Sequence, residues 1–158
     1  MISIKENINN VLEYNYLFDE VGWGSYEYEI SKKALENTIY SVSVYDDEKI
    51  IGYGRLIGDG ICFIYIHDVM VLPAYQHQKI GTKIMNKLLE QINKIKIENP
   101  YVRVYLGASK GREDFYKKFG FITREEANLG KGMILNDSTQ KGEKGQNCFF
   151  LGCSRSLF

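Results

Sequence analysis

The 158-residue chain has few of the residues from which metal sites and disulfide frameworks are built. It has three cysteines, Cys62, Cys148 and Cys153, and two histidines, His67 and His77. The cysteines are odd in number and irregular in spacing, whereas a structural zinc site needs paired cysteines or regularly spaced histidines. We therefore expect reduced thiols and no bound metal.

Long apolar runs and an excess of one charge are also missing. The longest strongly apolar runs, such as residues 61–66, are far too short to span a bilayer, and the N-terminus has no apolar signal region. Lysine plus arginine and aspartate plus glutamate number 20 each, so no net field attracts nucleic acid or an acidic membrane. These absences predict a cytoplasmic protein with neither nucleic acid nor membrane as a partner.

What the sequence does contain is the composition of an ordinary globular domain. Hydrophobic residues make up 44% and charged residues 25%, which is typical of folded proteins. We expect residues 1–135 to form a single domain, followed over residues 136–158 by a polar loop and an apolar tail of unknown role. The 12 tyrosines and 8 phenylalanines fit either core packing or a cleft for an apolar or aromatic substrate.

The first half of the chain has the pattern of helices followed by an antiparallel meander. Ser31 is the expected N-cap of the second helix, and Asp59-Gly60 is a strong hairpin signal between the second and third strands. Helices are expected over residues 9–20 and 31–36, and strands over residues 41–45, 50–57 and from Ile61 onward.

The second half predicts a crossover into a parallel strand. A long amphipathic helix begins near Lys79 and is followed by a strand over residues 102–106. A strand, a helix and a strand in this order usually pair parallel. Ser109 is expected to cap a further helix that contains Tyr116, with short strands at residues 121–122 and 133–135. The predicted fold class is therefore α/β, a central mixed sheet flanked by helices.

The segment ICFIYIHDVMVLPAYQHQKIGTKIM, residues 61–85, links a strand to the long helix through a polar loop. Unpaired N–H groups and the positive end of the helix dipole at such a helix N-terminus suit a phosphate group. Strand alternation places Tyr65 and His67 on one face and Asp68 on the other. Because the ends of adjacent parallel strands border the usual ligand crevice, Tyr116 is expected to approach Tyr65 and His67 there.

Part of this segment, VLPAYQHQKIGTKIM, resembles the acyl-CoA pyrophosphate loop of the GNAT superfamily of N-acetyltransferases. The family pattern is Gln or Arg, two residues, Gly, one residue, then Gly or Ala. Gln76, Lys79 and Gly81 take those positions, so a lysine replaces the first glycine. A second block, GASKGREDFYKKFGFITREEANLGKGMIL, is similar to the later motif of the family, and the resemblance spans residues 48–135.

The resemblance implies a binding site for acetyl-CoA. The strand before the loop would splay from its parallel neighbour after a bulge near residues 69–71, so that its backbone pairs with the pantetheine arm. The loop amides of residues 76–82 would hold the pyrophosphate. The residues expected to bind the cosubstrate are Val69, Met70, Val71, Gln76, His77, Gln78, Lys79, Ile80, Gly81, Thr82 and Ser109.

The resemblance also implies catalytic roles. A substrate amine is protonated at neutral pH and must lose a proton before it attacks, and His67 suits a base that acts directly or through water. Arylalkylamine acetyltransferases carry histidines on this strand, and His67 and Tyr65 match those positions. Tyr116 matches the tyrosine general acid, and an amide near Val71 would stabilise the oxyanion. Trp23 is assigned either to the core or to the substrate cleft.

The function implied is acetyl transfer from acetyl-CoA to a primary amine of a small molecule, by direct attack in a ternary complex. One alternative is a protein or peptide N-acetyltransferase, for which Glu20, Glu27 and Glu29 would supply an acidic cleft. Another is a non-catalytic acyl-CoA-binding module, which would need neither Tyr116 nor His67. The acceptor amine and the oligomeric state, including a homodimer, stay open.

Overall fold

A five-stranded mixed sheet organises the first of the two compact units of the chain, Met1–Leu106 and Gly107–Phe158. The computed structural model describes residues 1–135, so the prediction for the 136–158 tail lies outside the described residues. The strands are β1 (Ile2–Glu6), β2 (Tyr40–Asp46), β3 (Lys49–Gly58), β4 (Phe63–Val71) and β5 (Arg103–Leu106). The helices are α1 (Val11–Glu20), α2 (Tyr28–Glu36), α3 (Ile80–Glu98) and α4 (Glu113–Lys117).

The strands lie in the order β1-β2-β3-β4-β5. The first three pairings are antiparallel, and β4 pairs parallel with β5 across the crossover helix α3. The predicted mixed α/β class is confirmed, including the antiparallel meander and the parallel pair. Among the described residues, no helix has both the length and the apolar character needed to cross a membrane.

Helices cover both faces of the sheet. Buried residues of α3, among them Ile84 and Leu88, pack on one face, and buried residues of α1, among them Tyr14 and Leu17, pack on the other. The apolar spacing of each helix is what places these side chains on a single stripe. The sheet therefore lies between a helix that follows β4 and a helix that precedes β2.

The close packing of α3 on β3 depends on a glycine. A Cβ atom added at Gly54 would lie 2.7 Å from Cγ2 of Ile84 and 3.2 Å from a Leu88 methyl group. Real Cβ contacts are not that short, so the absence of a side chain allows the helix to approach the strand.

The structure differs from the local expectations in four places. Strand β1, whose five residues are all exposed, was not expected. Residues 121–122 and 133–135 form no strands. Ser31 lies inside α2 and donates its hydroxyl to Oδ1 of Asn15 at 2.5 Å, so it joins two helices and caps neither. Ser109 likewise is not a helix cap: α4 begins later, and its N-cap residue is Arg112.

Replacement of Gly54 by alanine is expected to destabilise the fold by about 1–3 kcal/mol, since the new methyl group overpacks against Ile84. Gly130→Ala is the matched control, because nothing lies within 4 Å of a Cβ atom at that position. Urea denaturation of both variants measures the difference. Equal unfolding midpoints would contradict the close approach of α3 to β3.

Candidate active site

A β-bulge in β4 produces the geometry of the candidate site. The ladder between β3 and β4 is regular up to the pair Arg55–His67. Beyond that pair, Asp68 and Val69 of β4 together oppose Gly54 of β3. Asp68 has a φ of 52°, in the left-handed region that aspartate tolerates better than most residues. One extra residue is thereby inserted into β4 at the point where the strand approaches the loop.

The bulge brings the side chains of His67 and Asp68 to the same side of the sheet. Nδ1 of His67 lies 2.6 Å from Oδ1 of Asp68. Strict alternation predicted opposite faces for these two residues, and that prediction is wrong because the inserted residue cancels one alternation. The bulge expected at residues 69–71 begins one residue earlier, at Asp68.

Asp68 is a buried carboxylate held by groups from two further elements. Its Oδ2 atom accepts a hydrogen bond from Tyr14 Oη of α1 at 2.6 Å and another from Arg55 Nε of β3 at 2.7 Å. Arg55 also donates to the carbonyl oxygen of Ala34 at 2.7 Å and to Oγ1 of Thr38 at 3.2 Å. The exposed fractions of Arg55 and Asp68 are only 6% and 7%, so the pair is shielded from solvent.

The partners of Asp68 keep it ionised in spite of its burial. Burial by itself would raise the pKa of Asp68, but the contacts with His67, Arg55 and Tyr14 outweigh it and hold that pKa below the ordinary value. Burial and the neighbouring carboxylate raise the pKa of Tyr14, so its phenol stays protonated and donates. At neutral pH the cluster therefore contains an aspartate anion, a guanidinium and a neutral phenol.

Tyr65 and His67 lie on the same face of β4, as the alternation predicted, with ring centroids 5.8 Å apart. Both side chains are half-buried. Burial raises the pKa of the Tyr65 phenol, so it is a hydrogen-bond donor at neutral pH. The structure thus brings together two of the three predicted catalytic residues, while their roles stay predictions.

Trp23 lies on the segment after α1, next to an aromatic cluster. Its ring meets Phe18 edge-on at a centroid distance of 5.5 Å, and Phe18 in turn packs on Tyr14 at 4.8 Å. Tyr26 lies 5.8 Å from the ring of Phe18. These contacts are those of a packing residue, and Trp23 is only half-buried, so its assignment to the substrate cleft stays a prediction.

The parallel strands separate where the family resemblance implies an open edge. Pairing between β4 and β5 ends at Ile66 and Leu106, whereas β4 continues to Val71. Among the described strands, none pairs with that edge of β4 beyond Ile66. Val69 and Val71 are half-buried but Met70 is 1% exposed, so Met70 could contact a ligand only through its backbone.

The loop between β4 and α3 is tied down by its own side chains. After a short 3-10 turn at Pro73–Tyr75, Gln76 donates its side-chain amide to the carbonyl oxygen of Val71 at 3.3 Å. Gln78 donates to the carbonyl oxygen of Ala74 at 2.9 Å. His77 is exposed and has a φ of 60°. These bonds shape the backbone that leads to the first turn of α3.

Lys79 is the last loop residue and the N-cap of α3, with a φ of 63°. The left-handed region favours glycine, which explains why the family pattern has glycine at this position. A lysine adopts it at a cost of about 1 kcal/mol. Its side chain makes no capping hydrogen bond, and the first turn of α3, Ile80 to Lys83 in the described chain, carries no acidic residue. The amides of Ile80, Gly81 and Thr82 therefore begin a helix that suits an anion.

Tyr116 and Ser109 belong to the second unit. Tyr116 is half-buried in α4, with its ring 5.0 Å from that of Phe115 and 6.5 Å from that of Phe121. The carbonyl oxygen of Ser109 accepts the N–H of Arg112 at 2.9 Å. The approach of Tyr116 to His67 stays a prediction.

Sequence reasoning missed Arg55 and Tyr14. A signal was present: Arg55 is a charge in the middle of the apolar strand IIGYGRLIG, and Asp68 is a charge in the next strand. Charged residues are almost never fully buried unless they are paired. The two opposite charges on neighbouring antiparallel strands could therefore have been predicted to form a buried ion pair.

Asp68→Asn is expected to destabilise the protein by about 3 kcal/mol at pH 7, because the buried Arg55 guanidinium loses its counter-ion. The folded-state pKa of Asp68 is lowered, so its stabilising contribution is complete above the unfolded value of about 3.9 and is lost as the pH falls through the folded value. The difference between wild type and variant should therefore shrink below about pH 4. Urea denaturation at pH 7 and pH 3 measures it.

Tyr14→Phe is the control for that measurement, since it removes the phenol that donates to the Asp68 carboxylate and leaves the ion pair intact. It should cost about 2 kcal/mol at pH 7, less than Asp68→Asn. An Asp68→Asn deficit that stayed constant from pH 7 to pH 3 would show that the charge of Asp68 does not stabilise the fold.

Comparison with known proteins identifies the family. Residues 20–137 match the family described as an acetyltransferase (GNAT) domain. The uncharacterized N-acetyltransferase ycf52-like of Prochlorococcus marinus is 30% identical over 123 residues. That match covers 75% of this chain and 66% of the length of the relative.

Solved structures agree with this match. A protein of unknown function from meticillin-resistant Staphylococcus aureus has a TM-score of 0.76 and 31% identity, covering 87% of this chain and 100% of that one. A GNAT family acetyltransferase from Streptococcus pneumoniae has a TM-score of 0.72 and 29% identity, covering 87% of this chain and 99% of that one. The predicted family is confirmed: the chain belongs to the GNAT acetyltransferase family.

Proposed function

We propose that the protein is an N-acetyltransferase that moves the acetyl group of acetyl-CoA to the primary amine of a small molecule, by direct attack in a ternary complex. The observation that carries the proposal is the order of features along β4. His67 is followed by the bulge at Asp68, and the edge that β5 leaves unpaired beyond Ile66 continues to the end of the strand. This part of β4 adjoins the loop that leads to the N-terminus of α3. A base, an unpaired strand edge and an anion site therefore follow one another along one stretch of chain.

Acetyl-CoA is the cosubstrate that the family implies, and two features of the first unit fit it. The open edge of β4, at Val69, Met70 and Val71, offers backbone groups to the amides of a pantetheine arm. The first-turn amides of α3 and the exposed Lys79 suit the pyrophosphate. Gln76 and Gln78 contribute by fixing the loop, since Gln76 is bonded to the carbonyl oxygen of Val71 at the end of β4 and Gln78 to that of Ala74.

His67 is the base of the proposed reaction. An amine with a lysine-like pKa of about 10.4 arrives protonated, and the imidazole of His67 accepts a proton from it directly or through water. Tyr65 lies beside it on the same face and can donate a hydrogen bond to the acceptor. The ammonium loses this proton before attack, because a protonated nitrogen has no lone pair with which to form the C–N bond. A second proton leaves the nitrogen for water as the tetrahedral intermediate collapses.

Tyr116 is the proposed general acid, on the family resemblance of the FYKKFGF segment. When the C–S bond breaks, the departing thiolate of coenzyme A needs a proton, which a tyrosine phenol supplies. A backbone amide near Val71 would stabilise the oxyanion formed during attack. The acetyl group passes directly to the amine, so no nucleophile of the protein is acylated.

The experiment that tests the function is a screen of amines against acetyl-CoA that reads the release of free thiol. Arylalkylamines, polyamines and short peptides with free amino groups form the panel, and acetyl-CoA without amine is the blank. Acetylation of at least one small amine, verified by the mass of the product, is expected. Calorimetric binding of acetyl-CoA without turnover of any amine would contradict an enzyme, and turnover of peptides alone would contradict the small-molecule acceptor.

His67→Gln and Tyr116→Phe should each lower kcat by roughly 10²-fold or more, because each removes a group that transfers a proton in the transition state. The affinity for acetyl-CoA, measured by calorimetry, should change little. Tyr101→Phe is the matched control, since that tyrosine is 87% exposed and has no proposed role. Unchanged turnover in either variant removes the corresponding assignment.

Two substitutions of Lys79 separate its charge from its backbone conformation. Lys79→Gly and Lys79→Ala should both weaken acetyl-CoA binding roughly two- to fivefold, because both remove a charge beside the pyrophosphate. Only Lys79→Gly relieves the positive φ, so only that variant should be more stable, by about 1 kcal/mol. Calorimetry and urea denaturation give the two readouts. Equal affinity of both variants and wild type would remove Lys79 from the binding site.

A further inference from the structure

We propose that Asp68 is a positioning residue which fixes the tautomer of His67, so that the proton sits on Nδ1 and the lone pair on Nε2. The inference rests on the proposed function only in that it says why His67 can act as a base. It is carried by the 2.6 Å contact between Nδ1 of His67 and Oδ1 of Asp68 and by the bonds that hold Asp68.

The carboxylate of Asp68 is oriented by its other oxygen. Oδ2 accepts both from Tyr14 Oη and from Arg55 Nε, and these donors belong to two different elements, α1 and β3. Oδ1 is the oxygen that remains at His67. Because the group is buried and its backbone is fixed by the bulge, the carboxylate presents Oδ1 to the ring in one direction.

An ionised carboxylate can only accept hydrogen bonds. A neutral imidazole has one N–H and one ring nitrogen with a lone pair, and its tautomer is set by the partner of either nitrogen. Nδ1 of His67 and Oδ1 of Asp68 are close but are not aligned as in a regular hydrogen bond. A lone pair on Nδ1 would nevertheless lie 2.6 Å from an anionic oxygen, which is repulsive. The N–H therefore lies on Nδ1, and Nε2 is the nitrogen that can take a proton from an amine.

Arg55 and Tyr14 are linked to His67 through Asp68. Arg55 joins the carboxylate to the end of α2 and the segment after it through Ala34 and Thr38, and Tyr14 joins it to α1. The two helices that precede the meander thus set the direction of a group on β4. A purely structural role for Asp68, as counter-ion of Arg55, would require the Oδ2 bonds but no particular tautomer of His67.

The full-length chain labelled with ¹⁵N-histidine tests the proposal by NMR in a series of rising pH, with the ¹⁵N shifts read where they no longer change, so that the neutral ring is observed. The chain has only two histidines, and the spectrum of His67→Gln identifies the lost signals as those of His67. Nδ1 should have the shift of a protonated ring nitrogen and Nε2 that of an unprotonated one. A protonated Nε2, or shifts averaged between tautomers, overturns the proposal. This measurement uses wild-type protein and requires no turnover.

In the Asp68→Asn variant we expect the opposite tautomer of His67. Asparagine, like aspartate, tolerates a positive φ, so the bulge can be kept. Arg55 Nε needs an acceptor, so the amide oxygen should turn towards it and the NH₂ group towards Nδ1 of His67. Nδ1 must then accept, which moves the ring proton to Nε2 and should lower kcat roughly 10²-fold with acetyl-CoA affinity unchanged.

Tyr14→Phe is the matched control, because it removes one bond to Oδ2 and keeps the carboxylate at His67. It should retain the wild-type tautomer. An Asp68→Asn variant that keeps both the wild-type tautomer and the wild-type kcat would overturn the inference. If that variant does not fold, the wild-type spectrum decides; if no amine is acetylated, the function proposal fails while the tautomer is still measured.

Discussion

The buried ion pair between Arg55 and Asp68 is the interaction on which the rest of the site depends. Removing each ion from water costs several kcal/mol, so such a pair persists only where further hydrogen bonds satisfy both groups. Here the guanidinium also reaches the end of α2 and the carboxylate reaches Tyr14 of α1. Helices from one face of the sheet and strands β3 and β4 must therefore be assembled together before either charge is satisfied.

The bulge makes the Arg55–Asp68 pair possible, and it lies between the two parts of β4 for which roles are proposed. Before the bulge, β4 is a regular strand paired on both edges; beyond Ile66 it is paired only with β3. The extra residue turns a second polar side chain to the side of His67 and lets the remainder of the strand run towards the loop. The proposed proton transfer and the proposed binding of the pantetheine arm are thereby assigned to consecutive parts of one strand.

Most of the fold followed from local patterns, whereas the decisive part of the site did not. Alternation and helical spacing located β2 to β5, α1 and α3, and alternation also placed Tyr65 and His67 on one face. The bulge cannot be predicted from the sequence of β4 alone, because it is defined by the register in which β4 pairs with β3. Asp68 was therefore assigned to the wrong face, and its partner Arg55 was not recognised. Ser31 shows the same limit, since its contact with Asn15 is a tertiary one.

Gly54 lies at the meeting point of two features that are otherwise far apart in the sequence. On one face it lies against α3 at Ile84 and Leu88, and along the strand it is the residue that opposes Asp68 and Val69. The helix whose N-terminus is proposed to bind pyrophosphate thus rests on the residue opposite the bulge. If acetyl-CoA binds at α3 as proposed, a small displacement of that helix would reach the neighbourhood of His67, the proposed base, through a single backbone position.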